Sequence, residues 1–428
     1  MRSLQRWSFP ILSGVLLAAG ALSGGPAHAA STYYVSVEGS DANGGSQSAP
    51  WRTVQKAADV AKAGDTVVVE PGTYVGAKFS HSGASGSPIQ FLAQPGVVID
   101  QPGPLNSNND NLWVRDASYI TLQGFEVHSA PRAGIAVQGE PDAPSLGVIV
   151  RNNTTHDNGR WGIFTGYAKS FRAVGNVASG SAIEHGIYVS NSADNPVIRR
   201  NVVFDNHASG IQINADPALP GDGIITGAVV EKNTVYNNGS GGGAAINLAS
   251  VRSSTFRNNL LYGNHASGIA GWDDGDGSQW GTRNNKFFNN TVVQASDGRF
   301  AVSLQNGSSG NVMKNNILFH PGPRGTYDID SSSRSGLVSD YNVVANVFSV
   351  DETWISFSKW KAYGYDAHSR MVSSTAGMFV DESSGDYHLA AGSPALDRGV
   401  SITSVKTDLE GTKRPQGSRY DIGSDERP

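Results

Sequence analysis

The sequence predicts an all-β fold, a parallel β-helix in which one chain winds into stacked coils of short strands. Three observations predict it. A motif ending in Asn recurs along the chain, Gly accounts for 52 of the 428 residues, and charged residues make up only 16%. Abundant Gly with sparse charge is typical of turn-rich β proteins rather than of helical ones.

The repeat is an Asn preceded, three positions earlier, by an apolar or small residue. A β-prone pair follows each Asn, and in most units a Gly-Ile strand such as Gly186-Ile187 comes next. A period of this length indicates a solenoid. An Asn at the same bend of every coil can bond backbone groups that the bend leaves unpaired. The repeated residues are Asn153, Asn176, Asn201, Asn233, Asn259, Asn290 and Asn316.

A row of aromatic residues is predicted three positions after the Asn. We interpret this row as a stack that stabilises the coils rather than as a ligand platform, because like residues stack when coils lie about 4.8 Å apart. Its members are Phe204, Tyr236, Tyr262 and Phe319.

Both ends of such a solenoid expose strand edges that need a cover. Near the N-terminus, Val54, Ala57, Ala58 and Ala61 have helical spacing and predict an N-terminal capping helix. Near the C-terminus, residues 386–399 and 419–426 have the composition of an irregular cap.

The chain divides into four predicted regions. Residues 1–29 have the basic start, short apolar run and small-residue cleavage site of a signal peptide. Residues 30–100 form the N-terminal cap and first coils, residues 101–345 the repeats, and residues 346–428 the last coils and closing segment. We therefore expect secretion, to the medium or the cell surface.

The composition of the chain limits which kinds of binding partner we expect. The chain has no Cys, so a secreted form would be held by core burial and backbone pairing alone. Loss of the signal peptide, which carries Arg2 and Arg6 and no acid, would change the net charge from −5 to −7. A mildly acidic protein is not expected to bind nucleic acid. The apolar run is too short to span a membrane, and the sequence gives no indication of oligomeric state.

The stretch Tyr33–Tyr74 resembles the opening of secreted bacterial β-helix proteins, including family-nine pectate lyases. The repeats resemble the right-handed parallel β-helix family of carbohydrate-active proteins, and the closing segment resembles a tail of bacterial β-helix surface proteins. The resemblance implies a right-handed coil and an extracellular polysaccharide as partner. It implies activity as a lyase most often, then as a hydrolase or an epimerase.

A candidate site follows from the strand after the Gly-Ile pair. Ile faces inward there, so the next residue faces outward. The outward row predicted on this basis is Phe164, Tyr188, Gln212, Asn247, Ala270 and Ser303. Two positions later a second row contains Asn214 and Trp272. A groove along these rows would suit a polymer chain.

Eliminative cleavage of a uronate polymer requires a neutralised carboxylate, a base for the C5 proton and an acid for the leaving oxygen. We assign His185 as base and Tyr188 as acid, with Glu184 orienting the imidazole. Arg160, Gln212 and Asn214 are assigned to the substrate carboxylate. Trp161 and Trp272 are candidates for stacking on sugar rings, and Asp216 is a further substrate-binding candidate. The alternative is that Glu184 simply pairs with Arg160 or Arg200 and that His185 is inert.

A metal site is a separate possibility. Asp273, Asp274 and Asp276 lie in a Gly-rich loop, and hard oxygen ligands can bind Ca²⁺. No cofactor is certain from the sequence. The family-nine pectate lyases use an Asp cluster with Ca²⁺ beside a Lys base, and no such cluster is evident here.

Three functions therefore stay open. The first is a polysaccharide lyase. The second is a glycoside hydrolase using Glu184 and Asp216, because hydrolysis needs two carboxylates. The third is a non-catalytic carbohydrate-binding or surface protein.

Overall fold

The computed structural model describes residues 28–275 and 277–428. The predicted signal peptide therefore falls almost entirely outside the described residues, as does Asp276. Three parallel sheets of 12 strands each run the length of the molecule, and each coil contributes one strand to each sheet over most of that length. We call them sheet I, sheet II and sheet III, in the order in which a coil passes through them. The predicted parallel β-helix is confirmed.

Sheet I comprises the strands Thr32–Val35, Thr66–Val69, Ile89–Ala93, Ile120–Gln123, Ile149–Arg151, Arg172–Val174, Val197–Arg199, Val229–Glu231, Thr255–Arg257, Lys286–Phe288, Val312–Lys314 and Val338–Asp340. Sheet II comprises Gly72–Val75, Val97–Gln101, Glu126–His128, Thr154–His156, Val177–Ser179, Val202–Phe204, Thr234–Tyr236, Leu260–Tyr262, Thr291–Val293, Ile317–Phe319, Val343–Val344 and Arg370–Met371.

Sheet III comprises Ala77–Phe79, Leu112–Arg115, Ala133–Gln138, Trp161–Gly166, Ile187–Ser190, Ile211–Asn214, Ala244–Ala249, Ser267–Trp272, Val302–Leu304, Tyr327–Ile329, Phe348–Val350 and Thr353–Ile355. Three two-stranded sheets pair Ser145–Leu146 with Ala168–Lys169, Ile225–Thr226 with Val251–Arg252, and Phe379–Asp381 with Asp386–Leu389. The helices are Val54–Val60 and Phe357–Ala362, with 3₁₀ turns at Ser278–Trp280 and Glu382–Ser384.

The core consists of inward side chains that stack in rows from coil to coil. On sheet III, Ile187 pairs with Ile211, and Ile211 pairs with Ile246. All three side chains are completely buried. Alternation of inward and outward residues follows from the strand period of two, so the same register that builds the core also sets which residues face solvent.

The Asn ladder at the bend between sheets I and II is confirmed. Asn201 donates its Nδ2–H to Asn233 Oδ1 at 2.9 Å and to the Ala173 carbonyl at 3.0 Å. Its backbone N–H donates to the same Asn233 oxygen at 3.0 Å. The ladder extends one coil further than predicted, to Asn342. A second ladder, after the strands of sheet II, joins Asn206, Asn238 and Asn264 and was not predicted.

The predicted aromatic row is also present on sheet II. Phe204, Tyr236 and Tyr262 stack in sequence, with ring centroids 4.9 Å apart in each pair. Phe319 lies in the same row, but Val293 separates it from Tyr262. The stack is therefore shorter than the sequence suggested.

The two ends are closed differently. At the N-terminal end, Val54–Val60 buries Val54, Ala57 and Ala58, as predicted, and the Thr53 side chain caps this helix by accepting the Lys56 N–H. At the other end, Thr353–Ile355 pairs antiparallel with the last parallel strand of sheet III. Trp360 of the second helix is completely buried there.

The predicted closing segments do not cover this end. Leu389, Ala395 and Ile422 pack with Ile317 and Phe319, on the side of the solenoid. The physical reason is that the late strands of sheet II carry apolar residues on both faces, so their outer face also needs burial. Among the described residues, no helix has the length and apolar character needed to cross a membrane.

Asn233→Ala should lower the free energy of unfolding by about 3 kcal/mol, because it leaves the buried backbone N–H of Asn201 without its acceptor and removes one of the two hydrogen bonds to Asn259 Oδ1. Denaturant unfolding followed by circular dichroism measures the loss. Thr234→Ala, at the next and half-buried position, is the control and should change stability by about 0.5 kcal/mol or less. Equal losses in the two variants would show that the ladder does not stabilise the coils.

Candidate functional site

The candidate site lies on the outer face of sheet III. The predicted outward row is confirmed, because Tyr188 pairs with Phe164 on one side and with Gln212 on the other. Gln212 continues to Asn247, Ala270 and Ser303. Asn214 pairs with Ser190 and Ala249 in the second row. Parallel pairing thus brings residues about 25 positions apart in sequence onto one surface.

Glu184 lies in the turn before the strand Ile187–Ser190, and its carboxylate is fully engaged. Oε1 lies 3.1 Å from the Arg160 guanidinium, and Oε2 accepts the indole N–H of Trp161 at 2.8 Å. His185 Nε2 is 3.9 Å from Oε2, beyond hydrogen-bonding distance. The ion pair with Arg160, which the sequence left as an alternative, is therefore present, and Glu184 does not hold the imidazole.

His185 is held by the backbone of the next coil. Its Nδ1 accepts the Ser209 N–H at 3.1 Å, and its ring meets the Tyr188 ring edge-on at 5.1 Å. Burial lowers the pKa of the imidazole to about 4. At neutral pH the ring is therefore uncharged. Because Nδ1 needs a lone pair to accept the amide proton, the ring proton lies on Nε2.

Tyr188, Asn214 and Asp274 form the polar centre of the face. Asn214 Nδ2 lies 3.4 Å from the Tyr188 hydroxyl, and the negative charge of Asp274 acts on Tyr188 from nearby. Burial raises the pKa of Asp274, and repulsion from Asp216 adds to the rise. Burial also raises the pKa of Tyr188, reinforced by nearby carboxylates. The buried Oδ1 of Asn214 has no hydrogen-bond partner among the described residues.

The aromatic residues of this face are mostly buried. Trp161 is only 7% exposed and stacks on Phe164 with centroids 4.3 Å apart. The Arg132 guanidinium lies 5.4 Å from the Trp161 ring and 5.1 Å from the Phe164 ring. Trp161 therefore offers little ring surface to a sugar and packs in the cluster that it forms with Phe164 and Tyr188.

Trp272 is better placed for ligand contact. It is half-buried, and its indole N–H donates to Asn247 Oδ1 at 2.9 Å. It lines a cavity of about 290 Å³ together with Asn247, Ser303 and Gln305. This cavity continues the face toward the later coils.

The two remaining substrate-binding candidates are partly occupied by local contacts. Gln212 is 4% exposed, and its Oε1 accepts the Ser209 hydroxyl at 3.1 Å. Asp216 is half-buried, and its Oδ1 accepts the Ala218 N–H at 2.8 Å, which closes the turn at that point. Each keeps one side-chain oxygen or amide group for other partners.

The predicted Ca²⁺ ligands stay a prediction, because Asp276 lies outside the described residues. Of the other two, Asp273 accepts the Asn306 amide at 2.6 Å, and Asp274 is half-buried. Within residues 28–275 and 277–428, three potential metal ligands lie within 4.8 Å of one another only at Glu126, His128 and His156, on sheet II. That group lies on another sheet and is half-buried at the surface.

Sequence reasoning missed two contributors. Arg132 precedes the strand Ala133–Gln138 just as Arg160 precedes Trp161–Gly166, and its Nε lies 3.2 Å from Asp110. Burial raises the pKa of Asp110 to about 6. The repeated Arg-x-Gly-Ile pattern at residues 132–135 and 160–163 could have revealed Arg132. No repeated sequence pattern marks Asp110.

Comparison with known proteins gives the following similarities. Residues 33–181 match the family model described as "Pel9A-like, right handed beta helix region". The uncharacterized protein YwoF of Bacillus subtilis (strain 168) is 26% identical over 482 residues, covering 92% of this chain and 99% of YwoF. Pectate lyase PEL9 of Emericella nidulans is 33% identical over 144 residues, which are 30% of this chain and 35% of that protein.

Solved structures extend the similarity of fold to the whole molecule. The crystal structure of pectate lyase Pel9A matches with a TM-score of 0.67 and 17% identity, covering 93% of this chain and 96% of that one. The structure of XylC with xylose matches with a TM-score of 0.57 and 12% identity, covering 92% and 98%. The resemblance predicted from the sequence is confirmed at the level of the fold: the chain forms a right-handed parallel β-helix similar to that of pectate lyase Pel9A, and its residues 33–181 match the Pel9A-like β-helix family model.

Proposed function

We propose that the protein is a secreted enzyme that cleaves a uronate-containing polysaccharide by β-elimination on the outer face of sheet III. The observation that carries the proposal is the contact of Tyr188 with Asn214 across adjacent coils, with Asp274 close enough for its charge to raise the pKa of Tyr188. A local sequence match to a pectate lyase supports the substrate class. The leader-like composition of residues 1–29 supports secretion.

The substrate carboxylate would be held by hydrogen-bond donors at the edge of this face. Arg160 is about half exposed even while paired with Glu184, so its guanidinium can also contact a ligand. Gln212 and Asn214 add amides two coils further along the same face. Substrate contact by these groups would stabilise the negative charge that develops on the carboxylate when C5 loses its proton.

The role of His185 differs from the one expected from the sequence. A neutral ring whose Nδ1 is occupied by the Ser209 N–H has no free lone pair with which to take a proton. We assign it as a donor, through Nε2–H, to a substrate oxygen. Asp274 is the better base, because a carboxylate with a raised pKa binds a proton more strongly than an ordinary one.

Tyr188 keeps the acid role. Its raised pKa holds the phenol protonated at neutral pH, and it lies in the same hydrogen-bonded group as Asn214. In the proposed reaction Asp274 takes the C5 proton, the C4–O bond breaks, and Tyr188 protonates the departing oxygen. The product carries a C4–C5 double bond.

A glycoside hydrolase is the second candidate, and one observation favours it. Asp274 has a raised pKa beside a second carboxylate, Asp216, and such pairs serve as acid and base in glycoside hydrolysis. Asp274 with Asp216 replaces the pair Glu184 and Asp216 expected from the sequence, since Glu184 is held by Arg160 and Trp161.

Tyr188→Phe should lower kcat by about a hundredfold or more, because it removes the proton donor while keeping the ring packing. The assay follows the ultraviolet absorbance of unsaturated uronates released from a panel of acidic polysaccharides. The matched control is Tyr236→Phe, in the aromatic stack of sheet II, which should retain full activity.

Full activity of Tyr188→Phe would contradict the assignment. New reducing ends without the absorbance would identify the hydrolase instead. Saturable glycan binding without any product would identify a non-catalytic binder.

The His185 ring should titrate near pH 4 in the folded protein, as measured by NMR of the imidazole carbons. Since an unfolded His binds its proton near pH 6.5, the unfolded chain carries more protons between pH 6.5 and 4. Stability should therefore fall as the pH drops through this window, by about 3 kcal/mol from this residue.

His185→Gln should remove that part of the pH dependence, and His265→Gln, outside this contact, is the control. A ring that titrates near pH 6.5 in the folded protein would rule out the buried, neutral imidazole described above.

A further inference from the structure

A strongly basic cavity lies on sheet I, apart from the sheet III face. We call it the basic cleft. It has a volume of about 470 Å³ and is lined by five cations and one carboxylate: Arg199, Arg200, Lys232, Arg257, Lys406 and Glu231. Cavities of this size are typical of small-molecule sites.

The register of sheet I builds the floor of the basic cleft. Arg199, Glu231 and Arg257 occupy equivalent positions on three adjacent coils. Glu231 is 4% exposed and pairs with both Arg199 and Arg257. Because this one carboxylate is shared between two guanidinium groups, it cannot neutralise the remaining cations.

The C-terminal segment forms the opposite wall. Lys232 Nζ donates to Thr407 Oγ1 at 2.9 Å, and Asn258 Nδ2 donates to the Thr407 carbonyl at 2.8 Å. These contacts fix Thr407 beside the coils, and Lys406 lines the cavity together with Arg200. Both Arg200 and Lys406 are exposed.

Asp408, outside the lining, offsets the charges of the basic cleft only in part. Asp408 lies close enough to affect Lys232, but it is 1% exposed, and its oxygens accept the backbone N–H groups of Gly411, Thr412 and Glu426. Burial lowers the pKa of Lys232, and Arg200 lowers it further. An anion in the cleft would relieve this repulsion.

We propose that the basic cleft is a second binding site for an acidic saccharide, which it recognises through the carboxylate of a uronate residue. Guanidinium groups suit planar carboxylates because they can donate two parallel hydrogen bonds. The cavity volume of about 470 Å³ leaves room for a sugar ring beside the anion. The site is independent of the reaction proposed for sheet III, so it can bind whether that face is a lyase, a hydrolase or neither.

The test is isothermal titration of the full chain with trigalacturonate, a neutral trisaccharide and inorganic sulfate. The double variant Arg200→Ser, Lys406→Ser should weaken binding of trigalacturonate at one site by about tenfold or more. Lys286→Ser, which removes an exposed cation on the same sheet outside the cleft, should leave binding unchanged. Thermal unfolding of each variant checks that the fold is intact.

A second pair of measurements distinguishes binding at the sheet III face from binding in the basic cleft. Asn214→Ala should weaken trigalacturonate binding at the sheet III face only. The double variant Arg200→Ser, Lys406→Ser should keep the turnover of short substrates. Unchanged trigalacturonate binding in the double variant would overturn the proposal. Equally tight binding of the neutral sugar, or sulfate binding as tight as that of trigalacturonate, would overturn it as well.

Discussion

Backbone pairing between successive coils is the constraint on which the rest of this structure depends. Each strand bonds to the strand one coil before and one coil after, so the position of a residue in its coil fixes its row and its face. The Asn ladder holds this register at the bend between sheets I and II, where backbone groups would otherwise be buried without partners. A one-residue slip would turn Ile211 outward and Gln212 inward.

The same constraint explains both charged surfaces. On sheet III it brings Tyr188 and Asn214 together from separate coils, and on sheet I it lines up Arg199, Glu231 and Arg257. The two surfaces differ in electrostatics. At the centre of the sheet III face, the raised pKa values of Tyr188 and Asp274 mean that both groups bind protons more strongly than usual. The basic cleft instead contains more cations than carboxylates.

The rows and the ladder could be predicted from the sequence because they recur with the coil period. The outward row through Tyr188 and Gln212 follows from a strand period of two and the Gly-Ile marker. The capping helix at Val54–Val60 follows from its apolar spacing. The right-handed coil was implied by the family resemblance of the repeats, and the resemblance to family-nine pectate lyases by the stretch Tyr33–Tyr74.

What could not be predicted depends on side-chain partners that break the repeat. The Ser209 N–H determines which ring nitrogen of His185 carries the proton. The Glu184 carboxylate is bound by Arg160 and Trp161. The C-terminal segment has no period, so neither its path along the coils nor the basic cleft it completes could be derived. Arg132 could have been predicted from the repeated Arg-x-Gly-Ile pattern, whereas no repeated pattern contains Asp110.

The most direct test of the account is a crystal structure of Tyr188→Phe with a bound uronate oligosaccharide. The account predicts a sugar chain along the outer face of sheet III, with one carboxylate in hydrogen-bonding distance of Arg160 or Asn214 and the C5 carbon facing Asp274. An oligosaccharide found only on other faces, with the sheet III face free of sugar, would contradict it.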